Sequence, residues 1–341
     1  MQCPTLDQLP PPPPGRTGWP WTEASAPPAG DTSRWPRITI VSPSYNQGEY
    51  LEETIRSVLL QGYPDLEYIV MDGASTDNSV DIIKKYEPWL SYWTSERDGG
   101  QSVAINRGFS RANGTVYGWI NSDDVFCPGA LQAVASFWAA NPSCHFLTGE
   151  GAIVDGASGV TEYYVKPSAY TFDDLLDYHR DKYLPQPSVF FSHEAFHGVG
   201  GVDESLYYVM DFDLWLRMRK LYPLHYLPRC LSLLRSHPAA KTTARPDLVL
   251  QVVSSLVERH HPSRRLAARV RRRAGLRLSQ ASVLSGQGLK QYFAGDRAGA
   301  RQAFLTALSV HPGVVLSRVG FGLAMRLALP WHLKRLVLTR P

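Results

Sequence analysis

No uncharged apolar run in these 341 residues is long enough to cross a bilayer. The closest, Val314 to Leu338, is interrupted by Arg318, Arg326, Pro330, Lys334 and Arg335, so an integral membrane protein is not expected. Cysteine is scarce, and Cys3, Cys127, Cys144 and Cys230 form no CxxC pair. That spacing argues against a zinc site and a disulfide framework, and it suits a reducing compartment. The N-terminus lacks a basic-then-apolar signal pattern, and Pro10 to Pro14 oppose an apolar helix, so secretion is not expected. Acidic residues are missing between Glu258 and Asp296, a stretch that holds Arg259, Arg264, Arg265, Arg269, Arg271, Arg272, Arg273 and Arg277. This basic block could face anionic lipid, nucleic acid or an acidic partner, or be a solvated helix face. The net charge of the whole chain is only +4.

With 44% hydrophobic and 19% charged residues, the chain can bury a sizeable core. Residues 1–35 are rich in Pro, Gly, Ser and Thr without periodicity, and read as a disordered leader of polyproline II character. From Arg37 the texture changes. Ile38 to Val41 is a β-branched run, followed by a turn and by Leu51, Ile55, Val58 and Leu59 at helical spacing. The unit recurs as Tyr68 to Met71 before a helix at Val80 to Lys84, and as Leu90 to Thr94 before a helix near Val103 to Ala112. A fourth strand, Val116 to Ile120, precedes a helix over Ala130 to Ala140. Strands alternating with helices imply right-handed crossovers and an α/β fold whose mainly parallel sheet is covered by helices. Ligands in such folds bind beyond the carboxyl ends of the strands. The expected organisation is a leader (1–35), an α/β domain (36–240) and a basic helical region (241–341).

Polar clusters stand at those strand ends: Ser42 to Asn46, Asp72 to Asp77, and Asn121 to Asp124. Any one alone could be a cap or turn. Together they describe a nucleoside pocket, in which Asp72 accepts hydrogen bonds, Gly73 permits close approach and Tyr45 offers a stacking face. Adjacent Asp123 and Asp124 repel, so a buried strand end tolerates both only with a cation or a hydrogen-bond network. Mg²⁺ or Mn²⁺ is the simplest such cation, and its remaining positions would go to diphosphate oxygens and water.

The chain resembles the family 2 glycosyltransferases of the GT-A fold, similar to bacterial enzymes that build surface polysaccharides. The resemblance covers about 36–240. Its motifs are Ser42 to Asn46, Asp72 to Asp77, Ser95 to Gly100, Asn106-Arg107-Gly108, Asn121 to Asp124, and Asp211 to Trp215. It implies that Pro43, Tyr45, Asn46, Asp72, Gly73, Ser122 and Asp123 contact the nucleotide and that Arg107 reaches the diphosphate side. Asp123 and Asp124 would hold the metal. His237 stands where related enzymes carry a histidine near the metal or diphosphate, although it could equally be structural. Asn121 occupies a position that is often Asp in the family, which leaves open whether Asp123 or Asp124 binds the metal directly. Asp211 matches the catalytic base, since displacement at an anomeric carbon needs the acceptor hydroxyl deprotonated. Glu96, Asp98, Gln186, Asp213 and Trp215 fall on the acceptor or sugar side.

The expected function is inverting transfer of a sugar from a nucleotide-diphosphate donor, with UDP favoured, to a saccharide or lipid-linked acceptor hydroxyl. Nucleic acid is not an expected partner. A sugar nucleotidyltransferase would need a glycine-rich basic loop after the first strand, and Ser42 to Gly48 has one glycine and no Lys or Arg. A non-catalytic nucleotide-binding scaffold is the other alternative. Tyr292 to Pro312 resembles half of a tetratricopeptide unit and reads as a helical hairpin. The amphipathic segment after it, with the upstream arginines, could lie on an anionic membrane surface, placing a cytoplasmic protein at the inner face of the plasma membrane.

Overall fold

The structure, a computed structural model, describes residues 3–155, 161–178, 182–237, 240–241, 245–260 and 266–328. The chain divides into two compact units, one of residues 1–175 and 183–240, the other of residues 176–182 and 241–341. In chain order the first region runs β1 (Ile38–Ser44), α1 (Leu51–Leu59), β2 (Leu66–Asp72), α2 (Ser79–Tyr86), β3 (Tyr92–Ser95), α3 (Gln101–Phe109) and β4 (Val116–Trp119). It continues with β5 (Val125–Phe126), α4 (Ala130–Ala140), β6 (Phe146–Asp155), β7 (Thr161–Val165), α5 (Phe172–Leu176), β8 (Val189–Ser192), α6 (His193–Gly198), α7 (Met210–Leu221) and β9 (His225–Ser236).

These strands form one sheet in the order β3-β2-β1-β4-β8-β6-β9-β5, with β7 on β6. β1 and β2 are buried along their whole length, as expected for β-branched runs covered on both faces. β1, β2, β3 and β4 are mutually parallel, so their carboxyl ends open on one side. Beyond β4 the sheet is mixed: β8 runs antiparallel to β4 and β6, whereas β9 runs parallel to β6 and antiparallel to β5. That topology returns the end of β9 to the loop after β4.

The Pro-rich segment departs from the disordered leader expected of its composition. Its residues from Cys3 onward pack on the sheet domain, with Cys3, Leu9 and Trp21 buried. A proline-rich backbone has few amide donors of its own, so many of its carbonyls need donors from elsewhere. Arg56 on α1 supplies them: its buried guanidinium donates to the carbonyls of Pro10, Pro20 and Trp21 and to the Tyr86 hydroxyl. The Trp19 indole donates to Phe126 O at 2.8 Å, and the Cys3 amide to Tyr63 O at 3.0 Å. Aromatic area and one buried arginine offset the entropy that low hydrophobicity would otherwise leave uncompensated.

In the second unit α8 (Pro246–His260), α9 (Leu266–Phe293), α10 (Arg297–Val310) and α11 (Arg318–Ala328) pack on one another, with Ala281, Ala307 and Val314 in a small core. Gly295, at φ +88°, ends α9, and the Asp296 carboxylate caps α10 by accepting from Gly299 N at 2.8 Å, so the expected helical hairpin is present. Arg264, Arg265 and everything after Ala328 lie outside the described residues. Among the described residues, no helix is long and apolar enough to cross a membrane.

Candidate active site

The ends of β1 and β2 are tied together by short polar side chains. Asn46 sits in the left-handed region at φ +51°, a conformation that Asn tolerates. Its amide donates to Ser75 Oγ, and its side-chain oxygen accepts from the Thr76 amide, both at 2.8 Å. Gly48 N donates to Asp77 Oδ2. Asn46 therefore latches two loops, with its side-chain oxygen already engaged. Asp72 is buried, and its carboxylate accepts from Ser75 N, Ser75 Oγ and Ser95 Oγ at 2.5–2.9 Å. A Cβ added to Gly73 would lie 3.4 Å from both the Tyr45 ring and Asp98 Oδ2, so these three residues converge. The Tyr45 ring is 61% exposed, which leaves a face open beside Asp72. Pro43 lies buried within β1 opposite Met71, and the buried Ser44 hydroxyl has no hydrogen-bond partner among the described residues.

The end of β4 is a network of a different kind. Gln186 donates to Trp119 O at 2.9 Å and accepts from the Asn121 amide at 3.1 Å, while Gln101 donates to Asn121 Oδ1. Gln186, expected on the sugar side, thus ties the strand end to Asn121. The two adjacent aspartates separate. Asp124 is buried and accepts from Arg235 N at 3.0 Å and Asn121 Nδ2 at 3.3 Å. Its carbonyl accepts from Thr54 Oγ1. Burial, with the neighbouring Asp123 charge, holds the Asp124 carboxyl well above the ordinary range. Asp123 instead meets His237, with Nε2 and Oδ2 3.0 Å apart. Arg235 braces that pair: its Nε donates to Asp123 O at 2.9 Å, its terminal nitrogen pairs with Glu53 at 3.1 Å, and its guanidinium lies over Tyr50. The Tyr50 ring also packs on His237. Ser122 is buried beside Asp123.

α7 carries the remaining expected residues. Its start is forced by Val209 at φ +50°, a strained conformation for a β-branched residue. Asp211 stands in the first turn, half-buried, and burial raises its carboxyl above the usual value. Asp213 is buried and paired with Arg217 Nε at 2.7 Å. Trp215 is buried between Trp119 and Phe146, 5.5 and 5.6 Å between ring centres. Both belong to the packing of α7 on the sheet, and Trp215 has no open face for a sugar. Glu96 and Arg107 line a cavity of about 520 Å³ between β3 and α3, with Met71, Tyr92, Thr94, Ser110 and Arg111. Neither Asp72, Asp123 nor His237 lines it. Among the described residues no cluster of three or more His, Cys, Asp or Glu side chains is gathered for a metal.

Sequence reasoning missed Arg235, Glu53, Tyr50, Ser75 and Ser95. Ser75 and Ser95 stood inside the quoted motifs and Arg235 two residues before His237, whereas Glu53 and Tyr50 carried no signal.

Residues 39–196 match the family model described as Glycosyl transferase family 2. This segment belongs to the family 2 glycosyltransferases. The chain is 30% identical over 144 residues to the putative teichuronic acid biosynthesis glycosyltransferase TuaG of Bacillus subtilis, covering 41% of this chain and 57% of that protein. An uncharacterized glycosyltransferase of Rickettsia typhi is 26% identical over 216 residues, covering 61% and 66%. The chain thus spans between about half and two thirds of these relatives' lengths. Among solved structures, S. aureus TarS 1–349 in complex with UDP-GlcNAc superposes with a TM-score of 0.54 at 17% identity, covering 86% of this chain and 87% of that one. The mannosyltransferase PcManGT from Pyrobaculum calidifontis, in complex with GDP-Man and Mn²⁺, gives 0.55 at 16%, covering 92% and 90%. At these identities the likeness establishes the GT-A fold, which the parallel β1–β4 half and the mixed remainder of the sheet display.

Proposed function

We propose that the chain is an inverting, metal-dependent glycosyltransferase that uses a nucleotide-diphosphate sugar, with UDP the favoured nucleotide, in synthesis of a cell-surface polysaccharide or glycolipid. The observation that carries this reading is the meeting of Asp123 and His237, 114 residues apart in sequence, at the carboxyl end of β4. The Asp123 carboxylate suits Mg²⁺ or Mn²⁺, either of which keeps positions for phosphate oxygens and water, and the added imidazole favours Mn²⁺ of the two. Asp123 and His237 would hold the ion, and Asp124, spent on Arg235 N and Asn121, would shape the loop. When bound, the metal neutralises charge on the leaving diphosphate.

The protein's own residues divide the remaining work. Tyr45 stacks on the base, Asp72 accepts from it, and the absent side chain at Gly73 lets it approach. Asp211 takes the proton from the acceptor hydroxyl as that oxygen attacks the anomeric carbon. A carboxyl raised by burial is a stronger base than an exposed one, which favours this transfer near neutral pH. Single displacement inverts the anomer. Support comes from the family of residues 39–196 and from TuaG, whose name refers to teichuronic acid biosynthesis. Transfer from a panel of UDP-, GDP- and dTDP-sugars to saccharide acceptors, with the product anomer read by proton NMR, tests the reading. A retained anomeric configuration, or no turnover with any donor, contradicts it.

Residues 36–240 form the catalytic region in this proposal, and 241–341 attach it to an anionic membrane surface. Leu316 and Phe321, 91% and 56% exposed, support the second part. Loss of sedimentation with anionic vesicles on Leu316→Glu/Phe321→Glu is expected, and unchanged sedimentation contradicts the attachment.

A further inference from the structure

Two of the four cysteines, far apart in sequence, meet on the β5–β9 ladder that also leads to the proposed metal pair. Cys127 follows β5 and Cys230 lies on β9, and their sulfurs are 3.8 Å apart. The backbones around them are already paired: Val125 opposes Leu233, Phe126 opposes Ser232, and Cys127 N donates to Leu231 O at 2.8 Å. Both side chains are half-buried, so a small reagent reaches them. Cys3 and Cys144 are buried, and burial pushes their thiols up to about 11 and about 12. They are built to be inert, whereas Cys127 and Cys230 are built to meet.

We infer that Cys127 and Cys230 are a reversible dithiol that a low-molecular-weight disulfide oxidises to an intramolecular Cys127–Cys230 bond. Cys230 is the attacking sulfur. The Cys127 S–H donated to it favours its thiolate and holds it below the usual thiol value, while the same bond and burial hold Cys127 above. The Cys230 thiolate attacks one sulfur of glutathione disulfide, forming a mixed disulfide and expelling one glutathione thiolate, which takes a proton. Cys127 then loses its proton and attacks Cys230 Sγ, breaking the mixed disulfide and releasing the second glutathione. Two thiols lose two electrons to the glutathione disulfide, and two glutathiones result. The new bond joins the segments that carry Asp123 and His237. Only that consequence rests on the proposed function, since the covalent chemistry does not.

The experiment incubates the full chain with glutathione disulfide and follows intact mass, thiol titration and peptide mapping. Wild type should end two hydrogens lighter, without glutathione, with a single Cys127–Cys230 cross-link that excess glutathione reverses. Cys127→Ser should stop as a stable glutathione adduct on Cys230. Cys230→Ser should react roughly tenfold more slowly than Cys127→Ser. Cys127→Ala serves as a second variant should the serine disturb folding. A lasting adduct on wild type, four unreacted thiols, or a cross-link that includes Cys3 or Cys144 overturns the inference.

Discussion

The two halves of the site are built on different scales. At the ends of β1 and β2, Asp72 is held by Ser75 and Ser95, and Asn46 by Ser75 and Thr76, partners no more than about thirty residues apart. At the end of β4, Asp123 and Asp124 are held by Arg235 and His237, which lie 111 to 114 residues away. The first half is turn chemistry, in which short polar side chains satisfy nearby backbone. The second half exists only because β9 returns antiparallel to β5. One part can be tuned by local substitution, whereas the other fails if the sheet topology fails.

The largest effect should come from the residue that neither network holds. Asp211→Asn should lower kcat by about 10² to 10⁴-fold while leaving nucleotide affinity within twofold, as measured by turnover and calorimetry. The pH sign follows from the raised carboxyl. Its stability contribution is present below the unfolded value of about 3.9 and is lost as pH rises through the raised folded value. Asp211→Asn should therefore be more stable than wild type at neutral pH and lose that advantage near pH 3, and the acid limb of kcat should vanish.

Arg235→Met should come next. It leaves Glu53 unpaired and unbraces the Asp123 loop, costing about 10- to 100-fold in metal-dependent nucleotide affinity, by analogy with removal of groups that orient metal ligands. Metal-free nucleotide affinity should hardly move, and an equal loss with and without metal would erase the distinction between the two halves. Asn46→Ala should cost about 1–2 kcal/mol in denaturant unfolding, from a lost hydrogen bond and a left-handed backbone that Ala resists. Trp215→Phe, the smallest, removes a buried indole N–H that has no partner among the described residues, so acceptor KM should be unchanged. A tenfold rise in KM would restore Trp215 to the acceptor side.

The same contrast explains what the sequence made legible. β1 to β4 and the loops after them read from alternation and turn residues, because period and turn grammar are local. β5 to β9 carry weaker periodicity, and the antiparallel half of the sheet was not anticipated. Adjacent Asp123 and Asp124 looked alike in sequence, and what separates them, Arg235 N and Asn121 on one and His237 on the other, comes mostly from more than a hundred residues away. Gln186, Asp213 and Trp215 were assigned to sugar because motif position does not reveal burial. The leader was misread for a related reason: composition counts prolines, and the matching guanidinium lay on a helix more than thirty residues away.

The central claim is that Asp123 and His237 form the metal-assisted half of a nucleoside diphosphate site while Asp124 only shapes it. Calorimetric titration of UDP with Mn²⁺ or with EDTA, on wild type, Asp123→Ala and Asp124→Asn, tests this most directly. Metal should tighten binding to wild type and to a folded Asp124→Asn but not to Asp123→Ala. Metal-dependent tightening that survives Asp123→Ala and disappears in Asp124→Asn would contradict the account.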